Sequence, residues 1–201
     1  MRQLTSTTFV TLDGVMQGPG GPGEDDTNGF NSGGWSVKYW NPTLDEVMTA
    51  TFAKKPDLLL GRKTYQIFAG YWPTSTEPGA EDLNNAQKYV VSRTLDKVEW
   101  QNSTLIKGDL ATEINRLKAQ TGPEIQVHGS SELLQALLQL RLVDEIQALI
   151  FPVSVGRGKR LFGETIDPTG YRLLDSRVSA SGVIIARYAP IGALQTGTFG
   201  Q

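Results

Sequence analysis

Cysteine is absent from the 201 residues, which excludes disulfides, a thiolate nucleophile and any cysteine-bound metal. Histidine occurs once, at His128, and no metal site is expected. No apolar run approaches the roughly 18 residues that a membrane span needs, so no membrane association is expected. Positive charge is not concentrated: the 19 lysines and arginines are scattered and the formal net charge is -2. Without a basic face there is no electrostatic footprint for nucleic acid. The first residues, MRQLTSTTFVTLDG, carry one basic side chain and no long apolar stretch. They do not read as a secretory signal, and a cytoplasmic location is the expectation.

Hydrophobic residues at 39% and charged residues at 20% are enough to build a core, so disorder is not the reading. Length, and the lack of a repeat or linker, predict one domain over residues 1–189 with an extended tail over 190–201. Thr7 to Leu12 is β-branched and aromatic and runs into the turn pair Asp13-Gly14. Residues 18–29, GPGGPGEDDTNG, cannot propagate helix or sheet and predict a long surface loop. Asn41-Pro42 then starts a helix whose Leu44, Val47, Met48, Thr51 and Phe52 recur at helical spacing. Short apolar runs at 57–60, 88–92 and 124–128 predict strands. Helices are expected to about Gly70, from Asp109 to Gly122-Pro123, and over 132–142, the last with Leu134, Leu137, Leu138 and Arg141 on one side. Strand pattern returns at 145–151. Residues 171–178 and 183–188 flank Ser181-Gly182 as a closing hairpin. Alternating strands and helices predict an α/β fold: a mixed, mostly parallel sheet with helices on both faces and an antiparallel hairpin at the C-terminal edge.

Three turns occupy strand-to-helix positions: Gly61 to Thr64, Ser92 to Thr94, and Gly129 to Ser131. In open α/β sheets ligands gather at such places, because helix N-termini present free N–H groups there. Glycine permits close backbone approach, hydroxyls donate hydrogen bonds, and Arg62 and Arg93 supply bidentate charge. By themselves the turns fit either an anionic ligand or a set of ordinary caps.

The residues add a resemblance. LLLGRKTY at 58–65, VVSR at 90–93 and LDGV at 12–15 resemble the corresponding segments of the dihydrofolate-reductase-like family. LVDE at 142–145, FPV at 151–153 and GRGKRLFG at 156–163 resemble its bacterial riboflavin-pathway branch, the RibD C-terminal domain. GGW at 33–35 and YWP at 71–73 are shared with a group of little-characterised bacterial members, and the similarity spans about residues 4–188 in order. It implies an eight-stranded sheet with NADPH across the strand ends. Gly61, Arg62, Lys63 and Thr64 would meet the ribose phosphate and pyrophosphate. Ser92 and Arg93 would flank the adenosine 2′-phosphate, and Gly129, Ser130 and Ser131 would receive the pyrophosphate. Thr8, Phe9 and Met16 would line the nicotinamide end, with Asp13, Trp35, Tyr39 and Phe68 on the substrate side. The implied activity is NADPH-dependent reduction of a small planar heterocycle, pterin- or pyrimidine-like; the alternative is a non-catalytic dinucleotide- or ligand-binding protein. The resemblance also implies a homodimer, for which the Ile146-Ala148-Ile150 strand and the hairpin are the expected surface.

Two departures stand out. Family members carry paired glycines in the pyrophosphate loop, where this chain has Gly129-Ser130. Folate reductases place a carboxylate on the helix after the first loop; Asp45 and Glu46 are the candidates, with first-turn solvent acids as the other reading. His128 is read as a packing residue ahead of a general acid. The aromatic residues Trp35, Tyr39, Trp40, Tyr65, Phe68 and Trp72 are read as core ahead of a stacking surface. Asp144-Glu145 is read as capping a junction or meeting a partner subunit, ahead of a catalytic pair. Gly156 to Lys159 lacks P-loop spacing, and the proline-rich loop is read as a flexible flap.

Overall fold

The computed structural model describes residues 1–164 and 166–200. Its elements follow as β1 (Leu4–Thr11), α1 (Pro42–Ala53), β2 (Asp57–Gly61), α2 (Arg62–Tyr71), α3 (Ala80–Asn85), β3 (Lys88–Val91), β4 (Ser103–Ile106), α4 (Leu110–Ala119), β5 (Ile125–His128), α5 (Ser131–Gln139), β6 (Glu145–Phe151), β7 (Thr169–Val178) and β8 (Ile184–Ala193). The eight strands form one sheet in the order β4-β3-β2-β5-β1-β6-β8-β7. The first six are parallel, and β8 pairs antiparallel with both β6 and β7. Among the described residues no helix is long and apolar enough to cross a membrane.

Alternation along β1 sorts the two layers. Leu4 and Val10 point to the face covered by α4 and α5, where Ile114, Leu117, Leu134 and Leu137 are buried against Ile125 and Val127. Phe9 points to the other face, where α1 lays Leu44 and Val47 on Leu149 and Phe151. A third cluster joins Phe52, Tyr65, Leu83 and Trp100 over β2 and β3. β5 is followed by a helix on one face, and its neighbour β1 leads to a helix on the other. The crevice between their carboxyl ends is therefore the switch point of the sheet.

Local chemistry explains the boundaries. The Asn41 side chain accepts from Thr43 N at 3.0 Å and Pro42 holds the first helical position of α1. Asp109 caps α4 in the same way, accepting from Thr112 N at 2.9 Å. α5 ends at Gln139, short of the expected 142, because Arg141 adopts a left-handed φ of 55° and its side chain is exposed rather than on the leucine face. β8 runs through Pro190 to Ala193. Its pairing with β6 ends at Tyr188, so the proline interrupts no ladder on that side.

Among the described residues, one of the largest wholly buried side chains is a lysine. Lys88 donates to the carbonyls of Leu83, Asn84 and Ala86 at 2.8, 3.0 and 2.7 Å, closing the end of α3, and lies 4.2 Å from the Trp100 ring centroid. Burial lowers its ammonium to about 8, while three carbonyl acceptors favour the charged form.

Candidate functional site

α2 and α5 differ from α1 and α4 in having no side-chain capping hydrogen bond at the N-cap. Both begin at the carboxyl ends of adjacent strands, β2 and β5. They are laced together there: Gly61 N donates to Ser130 Oγ at 2.9 Å, and Ser130 N donates to Thr64 Oγ1 at 3.1 Å. Gly129 and Ser130 both take left-handed φ values, 61° and 59°. That conformation turns the chain sharply off β5, and a Cβ on Gly129 would press on Thr64 at 3.4 Å. The result is a pair of neighbouring helix N-termini with first-turn N–H groups that no side-chain cap takes up. The third turn is built differently. Ser92 Oγ accepts from Thr94 N at 3.2 Å and Leu95 N at 3.0 Å, which leaves Arg93 projecting. Arg62 and Arg93 are both exposed, on strands paired Gly61 to Val91. Among the described residues neither guanidinium makes a hydrogen bond or an ion pair.

Beside these turns lies an aromatic basin at the ends of β1 and β5. His128 is ringed by Phe9, Phe52 and Phe68, with centroids at 6.5, 5.9 and 5.7 Å, and Phe9 meets Trp40 at 5.6 Å. Nδ1 of His128 is sealed from solvent without a partner. Burial holds the imidazole neutral, its pKa pushed down to about 4. The acid behaviour of the fold should show this. A base depressed from 6.5 to about 4 costs nothing above pH 6.5, and charging it costs stability as pH falls from 6.5 towards 4. Up to about 3 kcal/mol should be lost across that window. Urea unfolding of wild type and His128→Phe at pH 7 and pH 4.5 measures it; equal acid losses in the two proteins would refute the assignment.

The glycine- and proline-rich loop is pinned by side chains rather than loose. Glu24 accepts from Gly20 N and Gly21 N at 2.5 and 3.2 Å, and Gln17 Nε2 donates to Asp25 O and Thr27 O at 3.1 and 3.0 Å. Lys159 Nζ reaches Asp25 Oδ2 at 2.7 Å, and Lys63 Nζ stands 3.9 Å from Oδ1. Gly33 fits because a Cβ there would lie 2.5 Å from the Gly21 carbonyl oxygen. A cleft of about 360 Å³ separates this loop from α5, lined by Gln17, Phe30, Ser131, Gln135, Arg157 and Lys159. A larger hollow of about 720 Å³ lies between α2 and residues 95–101. Trp100 Nε1 there already bonds Asn84 at 2.7 Å.

The residues expected at the site fall into three groups. Gly61 to Thr64, Gly129 to Ser131, Thr8, Phe9 and Phe68 surround the crevice; Thr8 is buried with its hydroxyl unpartnered. Trp35 and Tyr39 pack edge-on against Phe151 at 5.3 and 6.3 Å, and Met16 is buried in the main core. Asp13 is engaged within the protein: it accepts from Thr11 Oγ1, Val155 N and Gly156 N at 2.5, 3.2 and 2.7 Å, and the Thr11 hydrogen bond outweighs burial in lowering its pKa. Asp45 accepts from Trp40 Nε1 at 2.7 Å and Glu46 lies 3.5 Å from Arg177, both exposed. Asp45 thus positions the tryptophan that covers Phe9. Trp40 was among the aromatics read as core ahead of a stacking surface, and Phe52 was read only as a core position of α1, because its helical spacing reads equally as core.

Three comparisons bear on this geometry. The description RibD C-terminal domain matches residues 2–185. Two Bacillus subtilis proteins of uncharacterised function are similar: YyaP, 29% identical over 91% of this chain and 92% of its own, and YwjB, 26% identical over 82% and 84%. Among solved structures, a putative riboflavin biosynthesis protein from Shewanella sp. PV-4 superposes with TM-score 0.73 at 22% identity, over 94% of this chain and 98% of that one. A pyrimidine reductase-like protein from Corynebacterium diphtheriae gives 0.63 at 13%, over 94% and 92%. Dihydrofolate reductase from Enterococcus faecalis, complexed with NADP(H), gives 0.59 at 16%, over 94% and 96%. The dihydrofolate-reductase-like fold is therefore established, and with nearly the whole chain matched, the protein belongs to the RibD C-terminal domain family.

Proposed function

We propose that the protein is a cytoplasmic, NADPH-dependent reductase that delivers hydride to a small planar heterocycle, pterin- or pyrimidine-like. The observation that carries this reading is the pair of side-chain-uncapped helix N-termini at Gly61 and Ser130, set beside an aromatic basin floored by a neutral histidine. Uncapped N-termini suit a pyrophosphate, the free guanidinium groups of Arg62 and Arg93 suit a further phosphate, and the basin suits a flat ring. When bound, NADPH would supply the hydride; the chain's own residues bind, orient and exclude water. Family membership supports a reductase, and the similarity to a reductase complexed with NADP(H) supports the cofactor.

Thermal denaturation with NADPH, NADH and neither tests the reading. At about 100 times its dissociation constant NADPH stabilises by roughly 2.7 kcal/mol. For a chain of this size that is a rise of about 5–10 °C. No shift at millimolar NADPH overturns the cofactor assignment. A second reading, a binding module without turnover, is favoured by one observation: Ser130 Oγ occupies Gly61 N–H, removing a donor from the turn. NADPH oxidation followed against pterins, flavins, quinones and nitro compounds separates the two.

The reading includes a homodimer. Ile146 and Ala148 are buried within this chain, so the strand expected at the interface contributes little. Leu173, Val178 and Ile184 instead share one face of the hairpin and are 50%, 67% and 40% exposed, beyond the helices that cover the rest of that sheet face. Sedimentation is expected to show a dimer and Val178→Asp/Ile184→Asp a monomer; a monomeric wild type at micromolar concentration refutes it.

A further inference from the structure

Beneath α1 the sheet carries an unusual amount of polarity. In register, His128 on β5 lies beside Thr7 on β1, which lies beside Gln147 on β6; the row before it is Gln126, Thr5 and Glu145. All six side chains point to the α1 face, because each strand alternates with period two. Thr7 Oγ1 accepts from Gln126 Nε2 at 3.1 Å and Gln147 Nε2 at 3.3 Å, and Gln147 Nε2 also reaches Thr51 Oγ1 of α1 at 3.2 Å. Three buried atoms of this patch have no partner: Thr5 Oγ1, Gln126 Oε1 and His128 Nδ1. Leaving one such atom dry costs about 1–3 kcal/mol. Three on one face of two adjacent strands are better explained by ordered water, which needs two to four polar partners of this kind. Successive same-face residues are about 6.7 Å apart along a strand, farther than a direct hydrogen bond reaches, so a connection from the Gln126–Thr5 row to His128 needs water between them.

Resting on the reductase reading, we propose that a buried water file under α1 supplies the proton for reduction, entering beside Glu145 and ending at Nδ1 of His128. The outer end is wet. Glu145 pairs with Arg187 at 2.7 and 2.9 Å, and the Arg187 side chain is 39% exposed. The inner end faces the basin through the other ring nitrogen, which has no protein partner among the described residues and is not sealed from solvent. A two-electron reduction of a C=N bond adds hydride to carbon and leaves the π electron pair on nitrogen. That nitrogen takes the proton from His128 Nε2–H while Nδ1 accepts one from the water, and bulk solvent restores the water. The imidazole ends neutral with its tautomer exchanged; after product leaves, Nε2 takes a proton from water entering the basin and Nδ1 returns one to the file, which restores the starting tautomer, so one proton from solvent is consumed per turnover. No carboxylate is required in the basin. His128 is then the catalytic residue, and Thr5 and Gln126 are positioning residues that act through water.

A crystal structure showing ordered solvent tests the file directly. Water within hydrogen-bond distance of Thr5 Oγ1, Gln126 Oε1 and His128 Nδ1 is expected; a dry seam overturns the proposal whatever the cofactor does. Nitrogen NMR of the unliganded protein should show His128 protonated at Nε2, with Nδ1 shifted in Thr5→Val and Gln126→Leu. Unmoved Nδ1 resonances in both variants would also sink the idea. With an acceptor in hand, both variants should lose about tenfold or more in kcat, with NADPH affinity unchanged and a raised solvent deuterium isotope effect. Thr5→Ser, which keeps the hydroxyl, should restore wild-type values. Full kcat in Thr5→Val and Gln126→Leu refutes the relay while leaving the NADPH reading intact, whereas absence of an NADPH-induced thermal shift refutes that reading alone.

Discussion

The double variant Arg62→Ala/Arg93→Ala is expected to bind NADPH about a hundredfold more weakly than wild type while its affinity for NADH stays within about threefold. Each arginine is exposed and follows one of two paired strands, Gly61 standing beside Val91, so the two lie at neighbouring strand ends. A charge-assisted, bidentate contact to phosphate contributes about 1.5–3 kcal/mol. Exposure and salt screening reduce that, and the lower end from each arginine gives the hundredfold. Neither side chain makes a hydrogen bond or ion pair among the described residues, and Arg93 acts on the exposed Asp109 only through space, so folding stability should change little and urea midpoints for the double variant serve as the control. Isothermal titration with the two cofactors reads the result. Equal losses for NADPH and NADH would assign the arginines to the pyrophosphate; no loss for either would remove them from the site.

The same turns show how far the residues alone carry the argument. Apolar runs at 57–60, 88–92 and 124–128 placed three strand ends within one residue of Gly61, Val91 and His128, because buried parallel strands and their turns are local patterns. The missing side-chain cap of α5 was not legible, since serine is an ordinary capping residue and only the left-handed backbone of Ser130 takes its hydroxyl away from the helix. What escaped depends on distant partners. Lys88 read as the first residue of a strand, and only the fold brings the carbonyls ending α3 onto its ammonium. α3 and β4 are short and lie in polar sequence, six and four residues long, too brief for a period to show. Asp45 sat on the expected helix, yet only the fold shows that its carboxylate is taken up by the Trp40 indole N–H. The proline-rich loop read as a flap because composition reports backbone freedom and is blind to Gln17, Lys63 and Lys159 holding it from three other places in the chain.

That pinning leads to the second large effect: Asp25→Ala is expected to cost about 3 kcal/mol. The Asp25 carboxylate is 10% exposed and faces Lys159, 17% exposed, at 2.7 Å, with Thr27 N donating to its other oxygen at 3.1 Å. Burial alone would raise its pKa, but the hydrogen bond from Lys159 and those from Thr27 outweigh it and hold it below 3.8. Removing the carboxylate strands a largely buried ammonium, the costly way to break such a pair, whereas the more distant and half-exposed Lys63 adds little. Asp25→Asn keeps an acceptor for Thr27 N and should lose less. Since the folded pKa is depressed, the contribution is complete above 3.8 and disappears as pH falls through the lower folded value. The difference between wild type and variant should therefore persist from pH 7 down to about pH 4, across the window in which His128 charges, and shrink only below it. Cleavage at Glu24 by a glutamate-specific protease reports the loop separately from the whole fold. Faster nicking in Asp25→Ala at a denaturant concentration where the sheet is intact is the expected result, because the loop is held to α2 and to residues 156–160 through this side chain. If Asp25→Ala resisted the protease as well as wild type, the loop would have to be held by Glu24 and Gln17 alone, and access to the cleft beside α5 would not depend on the buried ion pair.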